Sequence, residues 1–336
     1  MAQINYINIA ILGAGNWGTT LAVMLAGRGH SVRLWEYRPE LARDLERKRE
    51  NAVFLPGVAL PDGVRATSDL EAALAGASAC LLAVPSQTVR EVCLKTFPVV
   101  GHDMLVISCV KGLEHGSLLR MSQVIGESLS GKSPRLAALS GPNIASEIAR
   151  GMPATAVVAG DGPDSARDAQ RLLHSPKYRV YTSPDLAGVE LGGALKNVIA
   201  IAAGMVDGLG FGANTKGALL TRGLAEITRL GQAMGARSET FFGLSGLGDL
   251  AATCMSRQSR NWQVGHAVGL GGELEEVLGG MTMVAEGVPT TESAQKLSEN
   301  HGVEMPITNA VHQILFGGKN PKSAIAELMA REARAE

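Results

Sequence analysis

An apolar run at residues 7–12 leads straight into Gly13-Ala14-Gly15-Asn16-Trp17-Gly18, and an amphipathic segment at 19–27 follows it. A GxGxxG string is weak alone. Between a strand and a helix its glycines acquire distinct roles: a tight turn, close approach of the backbone to a pyrophosphate, and close packing of the helix. The free N–H groups at the start of such a helix favour phosphate. The alternative is an ordinary glycine turn. The arrangement predicts a strand-helix-strand unit that binds a dinucleotide, and it commits the first half of the chain to a parallel sheet. The next apolar run ends in Trp35-Glu36-Tyr37-Arg38. An acid there accepts from the adenosine ribose hydroxyls, whereas an arginine pairs with a 2'-phosphate. The two point to opposite cofactors and both are present.

Short apolar runs keep alternating with amphipathic ones as far as about residue 182, the signature of repeated strand-helix units. Strands are expected at 7–12, 32–35, 79–84, 105–108, 136–139, 155–159 and 179–181. Helices are expected at 19–27, 41–49, 70–75 and 166–173. Beyond Pro184 no further strand is expected, while 217–234, 262–268 and 290–300 carry helical spacing. At 336 residues the chain is long enough for two cores. The expected division is 1–184, a Rossmann-like domain, and 185–336, a helical domain. The stretches 209–216 and 241–261, rich in Gly, Ser and Thr, are loop candidates.

The formal charge of −1 with mixed signs leaves no footprint for nucleic acid or an anionic membrane surface. No basic segment with a long apolar core opens the chain, and the apolar runs are too short and glycine-rich to span a bilayer, so a cytoplasmic protein without an integral membrane segment is expected. The four cysteines fall at no metal-ligand or redox spacing, and the seven histidines include no pair spaced for one helix face. No metal site is expected.

Lys196 is the only charged residue between Glu190 and Asp207, inside Leu191-Gly192-Gly193-Ala194-Leu195-Lys196-Asn197-Val198-Ile199. Burial disfavours the ammonium and lowers a lysine pKa toward neutrality, which suits a group that exchanges a proton. In a helix, Gly193, Lys196, Ala200 and Gly204 share a face, small everywhere except at the lysine, which admits a ligand or another backbone. The competing reading is a lysine whose stem runs through a core helix to the surface. Further polar groups follow expected strands: Pro85-Ser86, Lys111-Gly112 and Ser140-Gly141-Pro142-Asn143, the last equally a plain helix start. Asp249, in Gly246-Leu247-Gly248-Asp249-Leu250, is either a turn or cap residue or the carboxylate that holds the lysine. Ser256-Arg257-Gln258-Ser259-Arg260-Asn261 offers a guanidinium fork with hydroxyl and amide donors, suited to a phosphate monoester, or is a solvated loop.

The glycine string together with Val110-Lys111-Gly112-Leu113-Glu114, Ser140-Gly141-Pro142, Gly193-Ala194-Leu195-Lys196-Asn197, Gly246-Leu247-Gly248-Asp249-Leu250 and Ser259-Arg260-Asn261 resembles the NAD(P)-dependent glycerol-3-phosphate dehydrogenase family, bacterial biosynthetic type. The resemblance runs from about Ile9 to Arg331. It implies an N-terminal Rossmann-like, mainly parallel α/β domain and an all-α C-terminal domain of the 6-phosphogluconate dehydrogenase C-terminal-like kind. It also implies a homodimer acting on dihydroxyacetone phosphate and sn-glycerol 3-phosphate. By the resemblance Lys196 is the proton donor and acceptor, with Asp249 and Lys111 beside it. Lys111, Gly141, Asn143, Lys196, Asn197, Asp249, Ser259, Arg260 and Asn261 line the substrate site. Gly13, Gly15, Asn16, Trp17, Gly18, Tyr37, Arg38, Lys111, Ala145, Arg260, Val284 and Glu286 line the cofactor site. Asn16 and Asn143 depart from the Ser or Thr of many relatives, and Glu36 from a small residue. The resemblance implies NAD(P) as cofactor; NADPH is expected to be slightly favoured through Arg38, while the acid at Glu36 would shift preference away from it. The rivals are a dehydrogenase of a 3-hydroxy acid or sugar-acid phosphate, and a sensor of nucleotide redox state without turnover.

Overall fold

The computed structural model describes residues 7–332. The chain divides into two compact units: residues up to Val110 with Arg120–Val189, and Lys111–Leu119 with the residues from Glu190 on. The short segment carrying Lys111 thus groups with the second unit, although it lies far before the expected boundary at 184/185.

The described residues of the first unit form ten strands: β1 (Asn8–Leu12), β2 (Ser31–Trp35), β3 (Glu50–Asn51), β4 (Leu55–Ala59), β5 (Val64–Thr67), β6 (Ala79–Leu82), β7 (Leu105–Ser108), β8 (Arg135–Ser140), β9 (Ala154–Gly160) and β10 (Tyr178–Ser183). Eight of them form one sheet in the order β10-β9-β8-β7-β6-β1-β2-β5. Its pairs are parallel except β8 with β9. The inner strands β6 and β7 are buried at every position, as expected of strands covered on both faces. Leu12 lies level with Trp35 on one side and Leu82 on the other. The turn after β1 therefore emerges beside the ends of β2 and β6, where the strand order reverses and open sheets of this kind bind ligands.

Two departures from the sequence expectation stand out here. β5 adds a strand beyond β2, and β3 and β4 form a small antiparallel pair. Val64-Arg65-Ala66-Thr67 has one fully buried residue at the sheet edge and is too short to show a period. Glu50–Asn51 is held by side-chain contacts and has no apolar pattern.

Among the described residues of the second unit there is no strand. Helix Leu186–Gly208, which belongs to this unit from Glu190 on, is long and apolar enough to cross a membrane but lies inside the fold, with residues 188–206 all buried. A helix apolar on every side is a core helix. It crosses the Arg260–Gly269 helix at backbone contact: a Cβ on Gly265 would stand 1.9 Å from the Ile201 carbonyl oxygen, and one on Gly204 would stand 2.1 Å from that of Trp262. At this end of the small-residue face, another backbone is what comes close.

Both loop candidates contain helix. Helix Ala213–Ala233 begins inside 209–216, and 241–261 contains a π-helical turn, Leu244–Gly248, followed by helix Asp249–Met255. The glycines that suggested a loop answer to packing. A Cβ on Gly246 would meet the Phe241 carbonyl oxygen at 2.0 Å, and one on Gly192 would meet that of Ser245 at 2.9 Å.

Candidate active site

In the first unit the turn after β1 has the form a pyrophosphate needs. Gly13 adopts φ +109°, and a Cβ there would lie 2.7 Å from the Ala83 carbonyl oxygen; a Cβ on Gly18 would lie 1.9 Å from that of Gly13. Both positions exclude a side chain by contact within the protein. Gly15 is different, because a Cβ there would meet nothing within 4 Å. It borders open space at the N-terminus of helix Asn16–Ala26, which has no side-chain cap and no acidic residue in its first turn. Uncapped N–H groups facing space are what a dinucleotide's phosphates require, so the residues fit the cofactor.

The fully buried Asn51 holds the turn from behind, its Nδ2 donating to the Ala14 carbonyl at 2.8 Å and to Thr19 Oγ1 at 2.7 Å. At the end of β2, Arg38 Nε donates to Glu36 Oε1 at 2.6 Å, and this bond raises the guanidinium pKa. Tyr37 is well exposed beside it. After β8, Gly141 takes φ +126°, Asn143 Oδ1 accepts from the Tyr178 hydroxyl at 2.9 Å, and the Ala145 carbonyl accepts from Thr20 Oγ1 at 3.2 Å. Trp17 stands over Tyr178 with ring centroids 6.5 Å apart.

In the second unit three charged side chains converge. Asp249 opens its helix directly after the π-helical turn, a feature frequent at functional sites. Its Oδ2 meets Lys111 Nζ at 2.7 Å and its Oδ1 meets Lys196 Nζ at 3.0 Å. Lys196 is 5 % exposed, which removes the reading of a lysine snorkelling to the surface. Burial pulls its pKa down to about 8, against the pull of Asp249 and with the help of Lys111. Burial alone would raise the Asp249 carboxyl, but the two ammonium groups outweigh it and hold the pKa below the usual range. Lys196 Nζ also donates to Thr253 Oγ1 at 2.5 Å, and Thr253 Oγ1 donates to Asp249 Oδ1 at 3.2 Å. Cys254, next in sequence, has its thiol pushed up to about 12 by burial and stays protonated.

A relay of amides frames this centre. Gly287 N donates to Asn261 Oδ1 at 2.8 Å, Asn261 Nδ2 to Asn197 Oδ1 at 2.8 Å, and Asn197 Nδ2 to the Lys111 carbonyl at 3.3 Å. Ser259 caps helix Arg260–Gly269 through its Oγ, which accepts from Trp262 N. Arg260 is the first residue of that helix, so its cation stands at the end of the helix whose dipole also favours negative charge. Burial lowers its pKa and the charge of Glu286 raises it in part. Val284 is nearly half exposed.

Of the expected residues, the structure brings Lys111, Lys196 and Asp249 into direct contact and ties Asn197 and Asn261 to them. Ser259 Oγ acts as a helix cap, and Asn261 has its amide engaged at both ends. Sequence reasoning missed Thr253 and Asn51. Thr253 sits one helical turn after Asp249, so the i, i+4 relation was the available signal; Asn51 offered none.

Comparison with known proteins agrees with this organisation. The N-terminal part of NAD-dependent glycerol-3-phosphate dehydrogenase matches residues 8–166 and the C-terminal part matches residues 185–326. A glycerol-3-phosphate dehydrogenase [NAD(P)+] of Geobacter sp. (strain M21) is 50 % identical over 98 % of this chain and 98 % of its own. One from Geobacillus thermodenitrificans is 48 % identical over 98 % of this chain and 96 % of its own. The crystal structure of glycerol-3-phosphate dehydrogenase from Coxiella burnetii superposes with a TM-score of 0.93 at 38 % identity, covering 97 % of this chain and 99 % of that one. With a dinucleotide turn in one unit, a lysine-aspartate-lysine centre in the other and these relatives along its length, the chain belongs to the NAD-dependent glycerol-3-phosphate dehydrogenase family.

Proposed function

We propose that this chain catalyses reversible hydride transfer between NAD(P)H and C2 of dihydroxyacetone phosphate, giving sn-glycerol 3-phosphate for glycerophospholipid synthesis. The observation that carries the reading is a buried lysine with a pKa drawn down to about 8, fixed by a carboxylate shared with a second lysine.

When bound, the nicotinamide cofactor supplies or accepts the hydride. As negative charge develops on the ketone oxygen, the Lys196 ammonium stabilises it and then transfers a proton to it, leaving as the neutral amine. In the oxidative direction the amine takes the alcohol proton. Asp249 and Thr253 hold Nζ in place, Lys111 adds a second positive charge, and Asn197 fixes the Lys111 backbone. Arg260 and the helix start behind it grip the phosphate, and Gly141 and Asn143 complete the substrate set. Binding at the remote phosphate then contributes to the chemical step by orienting the carbonyl.

Gly13, Gly15, Asn16, Trp17 and Gly18 would hold the pyrophosphate of the cofactor, Tyr37 and Arg38 would serve its adenosine part, and Lys111, Ala145, Arg260, Val284 and Glu286 belong to the same cofactor set. NADPH is slightly favoured, because the 38 %-exposed Arg38 side chain offers a cation to a 2'-phosphate. The enzyme works in the cytoplasm as a homodimer, which light scattering of the purified protein tests.

The deciding experiment measures NADPH and NADH oxidation with dihydroxyacetone phosphate and without it. Turnover that requires the ketone phosphate supports the reading; nucleotide binding with no turnover on either cofactor overturns it.

A further inference from the structure

Glu36 follows β2, where an acid by rule accepts the ribose hydroxyls and disfavours a 2'-phosphate. In this chain the carboxylate is turned to a different use. Its Oε1 accepts from Arg38 Nε at 2.6 Å and from the Arg38 backbone N at 3.2 Å. The Glu36 side chain is 4 % exposed, and its own N–H is tied to the Thr67 carbonyl on β5. Arg38 is further fixed by two rings, with its guanidinium carbon 5.0 Å from the Tyr37 centroid and 5.2 Å from that of Phe54. Phe54 is anchored in turn, since its N–H donates to Asn51 Oδ1 at 3.1 Å, the same Asn51 that holds the glycine turn.

The carboxylate takes Nε and the two rings lie against the guanidinium, which leaves Nη1 and Nη2 as the donors for a ligand. A guanidinium already anchored through Nε loses less freedom on binding a phosphate than a mobile arginine does. We propose that Glu36 is a specificity-determining positioning residue that acts through Arg38: by fixing the guanidinium it promotes binding of the 2'-phosphorylated dinucleotide instead of excluding it. The sign is opposite to that of an acid bonded to the ribose. The inference rests on the cofactor site proposed above.

Calorimetric dissociation constants for NADPH and NADH, with no second substrate, test it in the parent protein and in Glu36→Ala, Glu36→Gln, Arg38→Ala and Glu36→Ala/Arg38→Ala. Glu36→Ala should lower the NADPH preference about three- to tenfold, through weaker NADPH binding. Glu36→Gln keeps an oxygen for Nε and should retain most of the preference. In the Arg38→Ala background, Glu36→Ala should leave the ratio where it is, since the effect runs through the arginine. A preference for NADPH that rises or stays level in Glu36→Ala overturns the proposal, as does a further change of ratio in the double variant. Circular dichroism confirms folding of the Ala variant, and the Gln variant stands as the check if it unfolds. Because the readout is nucleotide binding alone, failure of the ketone phosphate to react sinks the proposed reaction without touching this inference.

Discussion

Lys196 and Thr253 stand 57 positions apart in the chain, and Nζ reaches Oγ1 at 2.5 Å. A hydroxyl that accepts from the ammonium favours the charged form, and burial opposes it. With the Lys196 pKa at about 8, the ammonium needed for ketone reduction is lost as pH rises through that value. The amine needed for alcohol oxidation appears over the same interval. The kcat/KM profile for reduction should therefore fall above about pH 8 and that for oxidation should rise. In Thr253→Val both midpoints should move to lower pH and turnover should drop about tenfold. Unmoved midpoints would show that the hydroxyl does not set the lysine's titration.

Asp249 meets both ammonium groups, Oδ2 at Lys111 and Oδ1 at Lys196. In Asp249→Asn, Lys196 loses the carboxylate that raises its pKa while the Lys111 charge still lowers it, and it gives up its proton well below pH 8. Reduction at neutral pH should fall about 100-fold or more, with nucleotide affinity far less affected. Steady-state rates beside calorimetric binding separate the two effects.

The glycine turn and most sheet strands were legible because each declares itself locally, by an apolar run bounded by turn residues. Lys196 was legible for the same reason, as one charge in an apolar helix. Thr253 lies in Ala251-Ala252-Thr253-Cys254-Met255, where a small polar residue is unremarkable, and its importance comes only from the helix that places it a turn from Asp249. The segment 241–261 misled because glycine serves two purposes. At Gly246 and Gly192 it permits backbone contact, and composition alone reads the same residue as a breaker. Asn51 holds the glycine turn through groups distant in sequence, Ala14 and Thr19.

The crossing of Leu186–Gly208 with Arg260–Gly269 makes Gly265 the least replaceable glycine of the second unit's core. A methyl group there would overlap the Ile201 carbonyl oxygen, which belongs to the backbone of a buried helix and cannot turn away. Gly265→Ala should cost at least about 3 kcal/mol of stability, at or beyond the upper end for an overpacked core. Thermal and urea unfolding measure the loss, and a change under about 1 kcal/mol would mean the two helices separate easily.

Glu226 is buried, and its carboxylate accepts from Ile307 N at 2.6 Å, Thr308 N at 3.1 Å and Thr308 Oγ1 at 3.2 Å. Ile307 and Thr308 are in the first turn of helix Pro306–Gly317, whose N-terminal N–H groups have no partner within the helix. A distant glutamate therefore serves as the cap, and the positive end of the helix favours its charge although burial raises its pKa. Glu226→Ala strands those donors in the interior and should destabilise the protein by about 2–3 kcal/mol. Glu226→Gln keeps one accepting oxygen and should lose less. Because Glu226 touches neither lysine, kcat at a temperature well below unfolding should change little in Glu226→Gln. Hydrogen exchange at Ile307 and Thr308 locates the effect: faster exchange at those amides, ahead of global unfolding, is expected in the Ala variant, and unchanged protection there would remove the capping role.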